Sequence, residues 1–270
     1  MRSTKEIALD GKLMEMTGAF GLSGKAVAAL EMLLQDEELQ AAQEYANTVS
    51  IVRLGYNDHG PVHMRTVAMN VLIMFRLLRQ AGIKTSLENE ECGDFEDSLM
   101  AALCASLLHD LGMGVGRQDH EMHSVYLSLP ILNRILDGVY KGDLKKQAMI
   151  RALTMECISG HMGSRTIHSL EAGVVQVADG CDMTKGRARI PLAIGQGKVG
   201  HIHQYSASSI EEVRIDAGKE KPIRIDVHMS NDAGFFQVEE VLLKKIAGST
   251  AKPFIELYAK VLEEEAHQYL

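Results

Sequence analysis

The stretch Ala105–Gly116, ASLLHDLGMGVG, closes an apolar run with an imidazole beside a carboxylate and sets three glycines behind them. The run itself, Ala101–Leu108, reads as core, and the pattern predicts a helix over 97–110, closed by Gly112. A protonated His109 suits the negative end of a helix. Asp110 at that same end is unfavourable unless something positive meets it. Neighbouring helical residues diverge by about 100°, but at a helix end relaxed by glycine the two side chains can reach one cation. Imidazole nitrogen and carboxylate oxygen suit first-row divalent metals. A capped core helix and half of a metal site are both open readings of these two residues taken alone.

Outward from this stretch the chain reads mainly as helices. Lys25–Tyr45 is amphipathic, with Leu30, Leu33, Leu34 and Leu39 among acidic residues. After the turn-like Gly55-Tyr56-Asn57-Asp58-His59-Gly60, proline predicts a helix start at Pro61. Its inward positions are His63, Val67, Val71, Met74, Phe75 and Leu78, and Gly82 ends it. Further helices are expected from about Asp119 to Leu136, with Pro130 a kink or break, over Leu144–Ile158, and over Leu170–Lys185 behind a Ser169 cap. Past Pro191 the texture changes. Ile210–Asp216 and Ile223–Met229 alternate like strands around the loop Ala217–Pro222. Gly234–Ala247 reads as helix, and Phe254–Leu262 fits strand or helix. The fold expected is therefore a mainly α, helical domain over 1–192 followed by a small α+β module over 193–270.

Composition narrows the function. The 270 residues are 46% hydrophobic, enough for a sizeable core, and the net charge of −8 disfavours a broad nucleic-acid surface. No apolar stretch reaches the eighteen or so residues of a membrane span; Val67–Leu78 is short and contains Asn70 and Arg76. Met1–Lys12 lacks a signal-peptide core, so a cytoplasmic location is the expectation. Cys92, Cys104, Cys157 and Cys181 are scattered without a Cys-x-x-Cys pair, which argues against a cysteine zinc site.

Other polar residues stand where a core is expected. His63 extends the inward face of its helix by a turn, as a satisfied core histidine or as a ligand. Asp179 ends the apolar run Val174–Ala178 and needs a partner if buried, either a cation or a basic residue such as Lys185, Arg187 or Arg189. His161 follows Ser159-Gly160 at a helix end. Asp182 lies three residues after Asp179, placed to orient a histidine or to pair with Lys185. His59 stands close to His63 in sequence, and His168 neighbours the Ser169 cap.

Taken in order, "HMRTVAMNVL", "AALCASLLHDLG" and "EAGVVQVADGCDM" resemble the HD superfamily of metal-dependent phosphohydrolases over roughly residues 55–190. The resemblance implies a helical bundle in which His63, His109, Asp110 and Asp179 bind one divalent metal. It implies a second ion held by His161 and by His120 or His123; Ser124, four residues after His120, matches the small residue that two-metal members often have there. One or two ions of Mn, Fe, Zn, Ni, Co or Mg are compatible with such ligands. The Gly-Tyr-Pro signature of the cyclic-dinucleotide branch is missing, since Gly160-His161-Met162-Gly163-Ser164 stands in its place. Met113 stands where many members have lysine. The chain thus resembles a microbial branch without that signature, and the resemblance implies hydrolysis of a phosphoester, of a nucleotide or other small phosphorylated molecule, by a metal-activated water. Asp110 would bridge the ions. Arg117 and the cluster Lys185, Arg187 and Arg189 are the candidates for binding phosphate. The alternative is a non-catalytic metal- or nucleotide-binding regulator. No membrane partner is expected, nucleic acid is disfavoured, and a homo-oligomer is left open.

Overall fold

Helix α6 (Phe95–Leu108) is the axis of the fold, because all of its 14 residues are buried. A helix that is apolar on every side has to be covered on every side. In the computed structural model, which describes residues 2–184, 202–262 and 264–270, that cover comes from α2 (Lys25–Gln35), α4 (Pro61–Gln80), α8 (Leu144–Gly160) and α9 (Leu170–Cys181). The boundary expected near residue 192 and the basic positions Lys185, Arg187 and Arg189 lie outside the described residues.

Local chemistry sets the ends of these helices. Asp94 caps α6 and forms a reciprocal capping box with Asp97, so the helix begins two residues before the expected start. Burial raises the Asp97 pKa, but hydrogen bonds from Lys146, Lys25 and Tyr140 outweigh it and hold the group at about 2. The single helix expected over Lys25–Tyr45 is two, α2 and α3 (Glu37–Thr48). Asp36 divides them, its carboxylate accepting from the Leu39 amide at 2.8 Å. α4 starts at Pro61 with proline in its first turn, and its expected inward stripe is buried throughout. α7 (His120–Val139) runs through Pro130. That proline and Tyr126, whose carbonyl it leaves unpaired, are both exposed. α9 ends at Cys181, short of the expected Lys185. An additional helix, α1 (Thr4–Gly18), lies along α4 and buries Leu13, and α5 (Ser86–Asn89) is a single turn before α6.

The C-terminal residues form the expected small α+β module. After α10 (Ile202–Ser208), β1 (Ile210–Ala217) and β2 (Ile223–Met229) pair antiparallel, and β3 (Ile255–Val261) lies parallel to β2. The ambiguous segment 254–262 is therefore a strand. Parallel neighbours need a crossover, and Gly234–Gln237, Val238–Leu243 and Lys244–Ala247 supply it as one helix with a π-helical middle, α11. The two-residue β4 (His267–Gln268) closes the order β1-β2-β3-β4. α11 packs on α9, so a continuous apolar core joins the module to the bundle. Gly173 of α9 is a point of close approach: a Cβ there would stand 2.1 Å from Thr250 Oγ1 and 2.8 Å from the Ala251 nitrogen.

Among the described residues no helix is long and apolar enough to cross a membrane. The glycine of His-Asp-Leu-Gly has a packing role. A Cβ on Gly112 would lie 2.0 Å from the His120 carbonyl oxygen and 2.6 Å from the Ser124 nitrogen, and the Gly112 amide donates to Ser124 Oγ at 2.8 Å. The backbone at 112 is thus pressed against the first turn of α7. Gly112→Ala is expected to cost about 2–3 kcal/mol or more through overpacking, whereas Gly116→Ala, with nothing within 4 Å, is expected to be neutral. Urea unfolding of the two variants checks the contrast.

Candidate metal centre

His109 and Asp110 follow directly on α6, and the 3-10 turn Leu111–Gly114 then carries the chain to α7. His63 lies in the first turn of α4, His120 opens α7, His161 caps α8, and Asp179 sits in the last turn of α9. Five helices thus bring six polar side chains to one point beneath the surface. His63, His109, Asp110, His120 and His161 are each 2% exposed or less.

The six groups include two sets that share Asp110, and His109, His161 and Asp179 form a third close grouping across them. Asp110 Oδ2 lies 3.3 Å from His63 Nε2 and 3.4 Å from His109 Nε2. Asp179 Oδ1 lies 3.3 Å and 3.8 Å from the same two nitrogens, which are 3.2 Å apart. Asp110 Oδ1 points the other way, 3.3 Å from His120 Nε2 and 3.5 Å from His161 Nε2, and those nitrogens are also 3.2 Å apart. Atoms about 3.4 Å from one another surround a centre about 2.1 Å from each, which is the distance at which imidazole and carboxylate hold a divalent metal.

Proton positions give a second test of the fit. His109 Nδ1 meets the Ser106 carbonyl at 2.9 Å, His120 Nδ1 the Arg117 carbonyl at 3.0 Å, and His161 Nδ1 the Ile158 carbonyl at 2.7 Å. Each partner lies three residues back; for His109 and His161 it is one of the carbonyls a helix end leaves unpaired. Carbonyl oxygens only accept, so Nδ1 carries the proton and Nε2 presents a lone pair. His63 Nδ1 donates likewise to Asp182 Oδ2 at 2.7 Å. Two lone pairs 3.2 Å apart cannot hydrogen-bond to each other, and both face ionised carboxylates. A positive centre between them would resolve the repulsion.

The electrostatics agree. Burial raises the pKa of Asp110, but its histidine neighbours, His109 and His59 foremost, hold it well below the usual carboxylate range. Asp179 is likewise held well below by Lys245, His63 and His109 against the effect of burial. Burial pushes His161 down to about 4, so it is neutral and able to donate a lone pair at neutral pH.

The other expected positions lie around or away from this cluster. Asp182 supports His63, and Glu121 Oε2, 3.3 Å from His120 Nδ1, supports the second set. Sequence reasoning missed Glu121. His59 packs its ring edge-on 5.9 Å from that of His63, with Nδ1 on the Asn57 carbonyl at 2.6 Å. Arg117 is half-buried at the rim, 5.8 Å from the Tyr56 ring. His123 is in none of the sets; three residues past His120, it is turned about 60° around α7. His168 is exposed and outside the cluster.

Comparison with known proteins gives this geometry a family. No family model matches the chain, and no solved structure does. The chain is 40% identical over 255 residues to Uncharacterized protein MJ1020 of Methanocaldococcus jannaschii, covering 94% of this chain and 96% of that protein. The chain belongs to the MJ1020 family. This MJ1020-family chain is also 28% identical over 146 residues to Ribonuclease Y of Clostridium perfringens, covering 53% of this chain and 26% of that protein. The His/Asp cluster is compatible with an HD-type metal site.

Two outcomes are expected. Asp182→Asn should weaken Mn2+ binding about 10–100-fold, measured by titration calorimetry on chelator-stripped protein. In that metal-free protein, folded His161 titrates near 4 and unfolded histidine near 6.5. The unfolded chain therefore binds the extra proton first, and stability falls as pH drops through that window, by up to about 1.4 kcal/mol per pH unit. Urea unfolding from pH 7 to pH 4 should show the slope, and His161→Gln should flatten it.

Proposed function

We propose that the protein is a metal-dependent phosphohydrolase that cleaves a phosphoester of a nucleotide or other small phosphorylated molecule. The observation that supports this most is the orientation of Asp110, one carboxylate oxygen toward His63 and His109 and the other toward His120 and His161. The first set with Asp179 would hold one divalent ion and the second set another, and Asp110 would bridge them. Bound divalent ions supply a hydroxide nucleophile at neutral pH and Lewis-acid pull on phosphoryl oxygens.

The chain's own residues do the remaining work. Their Nδ1 hydrogen bonds fix each imidazole in one tautomer and one orientation. Asp182 and Glu121, each facing the Nδ1 of a histidine, raise the basicity of that ligand. Burial keeps bulk water off the charged groups, which strengthens their mutual interactions. Arg117, whose carbonyl already orients His120, is the candidate to meet a substrate phosphate, for which its forked guanidinium is suited. Lys185 and Arg189 are further candidates by sequence, and they lie outside the described residues. The similarity to Ribonuclease Y supports phosphoester chemistry, and the net charge of −8 favours a small substrate over a long polyanion.

The test is a Mn2+-supplemented assay over nitrophenyl phosphate, bis-nitrophenyl phosphate, nucleotides and an RNA oligonucleotide. Hydrolysis of a small phosphoester is expected, with His109→Ala and Asp110→Ala lowering kcat/KM about 100-fold or more as metal is lost. Arg117→Ala should raise KM about 10–100-fold, the value of a charged hydrogen bond of about 1.5–3 kcal/mol. Metal-bound protein that hydrolyses nothing would replace this reading with a regulatory one. Turnover of RNA alone would make the protein a ribonuclease.

A further inference from the structure

Lys245 is a charged side chain only 8% exposed, and it comes from the C-terminal module rather than from the bundle. It lies in the last turn of α11, against α9. Its neighbour Lys244 is exposed and pairs with Glu240 on its own helix. Lys245 turns the other way. Its ammonium pairs with Asp179 Oδ2 and donates to the His161 carbonyl oxygen at 3.0 Å. Burying an ammonium is costly unless it is paired, and here both partners belong to residues of the candidate metal centre.

The geometry of Asp179 shows what this contact does. Its Oδ1 faces His63 and His109, while its Oδ2 is taken by Lys245. A carboxylate with one oxygen held this way presents only the other to the centre. The surrounding packing is arranged to allow it. A Cβ on Gly180 would stand 3.1 Å from Lys245 Cδ and 3.2 Å from Leu242 Cδ1, so the lysine stem passes close over α9 at this glycine. Gln176 of α9 donates to the Lys245 carbonyl at 3.1 Å and fixes the main chain of α11 at that point.

We infer that Lys245 is a positioning residue of the metal centre, holding Asp179 to one-oxygen ligation and making the centre depend on the docked C-terminal module. This rests on the proposal that the His/Asp cluster binds metal. A buried ion pair that only fastens the module to the bundle would leave metal affinity unchanged, which separates the two roles.

The experiment titrates Mn2+ by calorimetry into chelator-stripped full-length protein, with thermal unfolding in parallel. Lys245→Met is expected to weaken Mn2+ binding about 10–100-fold, the usual effect of removing a group that orients a ligand. Lys245→Arg, which keeps a cation on Asp179, is expected to restore most of the affinity. Leu242→Ala, which loosens the same packing without touching Asp179, is expected to lower Tm and leave the affinity as it was. If Lys245→Met does not fold, Lys245→Gln replaces it; it retains a donor, and a loss in the same direction is expected. Wild-type affinity in a folded Met or Gln variant overturns the inference. Failure of the wild-type protein itself to bind Mn2+ overturns the metal reading, and this inference with it.

Discussion

A buried carboxylate ringed by imidazoles whose Nε2 lone pairs face it needs a positive charge close by. Asp110 is 2% exposed and faces four Nε2 atoms at 3.3–3.5 Å. Burial removes it from bulk solvent, and an uncompensated charge at that depth is costly. Much of the fold can be read as the means of holding this arrangement. α6 is apolar all round, so its C-terminal end is fixed by packing on every side. Gly112 lets α7 approach until His120 stands across from Asp110. The carbonyls at the ends of α6 and α8, which need donors in any case, take the Nδ1 protons of His109 and His161. One economy thus satisfies the helix ends and sets the tautomers.

The legible part of this in the sequence was the part carried by short-range pattern. The apolar run before His109-Asp110, the proline at position 61 and the alternation over Ile223–Met229 each report a local preference, and the corresponding elements stand within a few residues of where those preferences put them. His120 could be weighed against His123 only by spacing. The structure brings His120 to Asp110 because α7 begins at that residue. The glycines behind the His-Asp pair suggested a turn. Leu111–Gly114 is that turn, and Gly112 also marks a backbone-to-backbone contact with α7 that no local pattern records.

What stayed hidden depends on long-range contact. Asp36 was read within an amphipathic run, yet its short carboxylate caps a new helix there. Glu121 looks like an ordinary first-turn acid. Lys245 is the clearest case. Val238, Leu242 and Ile246 form the buried stripe of α11, and Lys245 falls on that stripe seven residues after Val238. A lysine on an apolar stripe is a signal that it is buried and paired, but nothing local says that the partner is Asp179, 66 residues away.

Asp110 stands between two imidazole pairs, each close enough to hold a cation together with it. Crystals grown with Mn2+ and measured for anomalous scattering test it most directly. Two anomalous peaks are expected, one among His63, His109, Asp110 and Asp179 and one among Asp110, His120 and His161, with Asp110 touching both. Diffraction showing these side chains in place and no peak beside Asp110 would contradict the account.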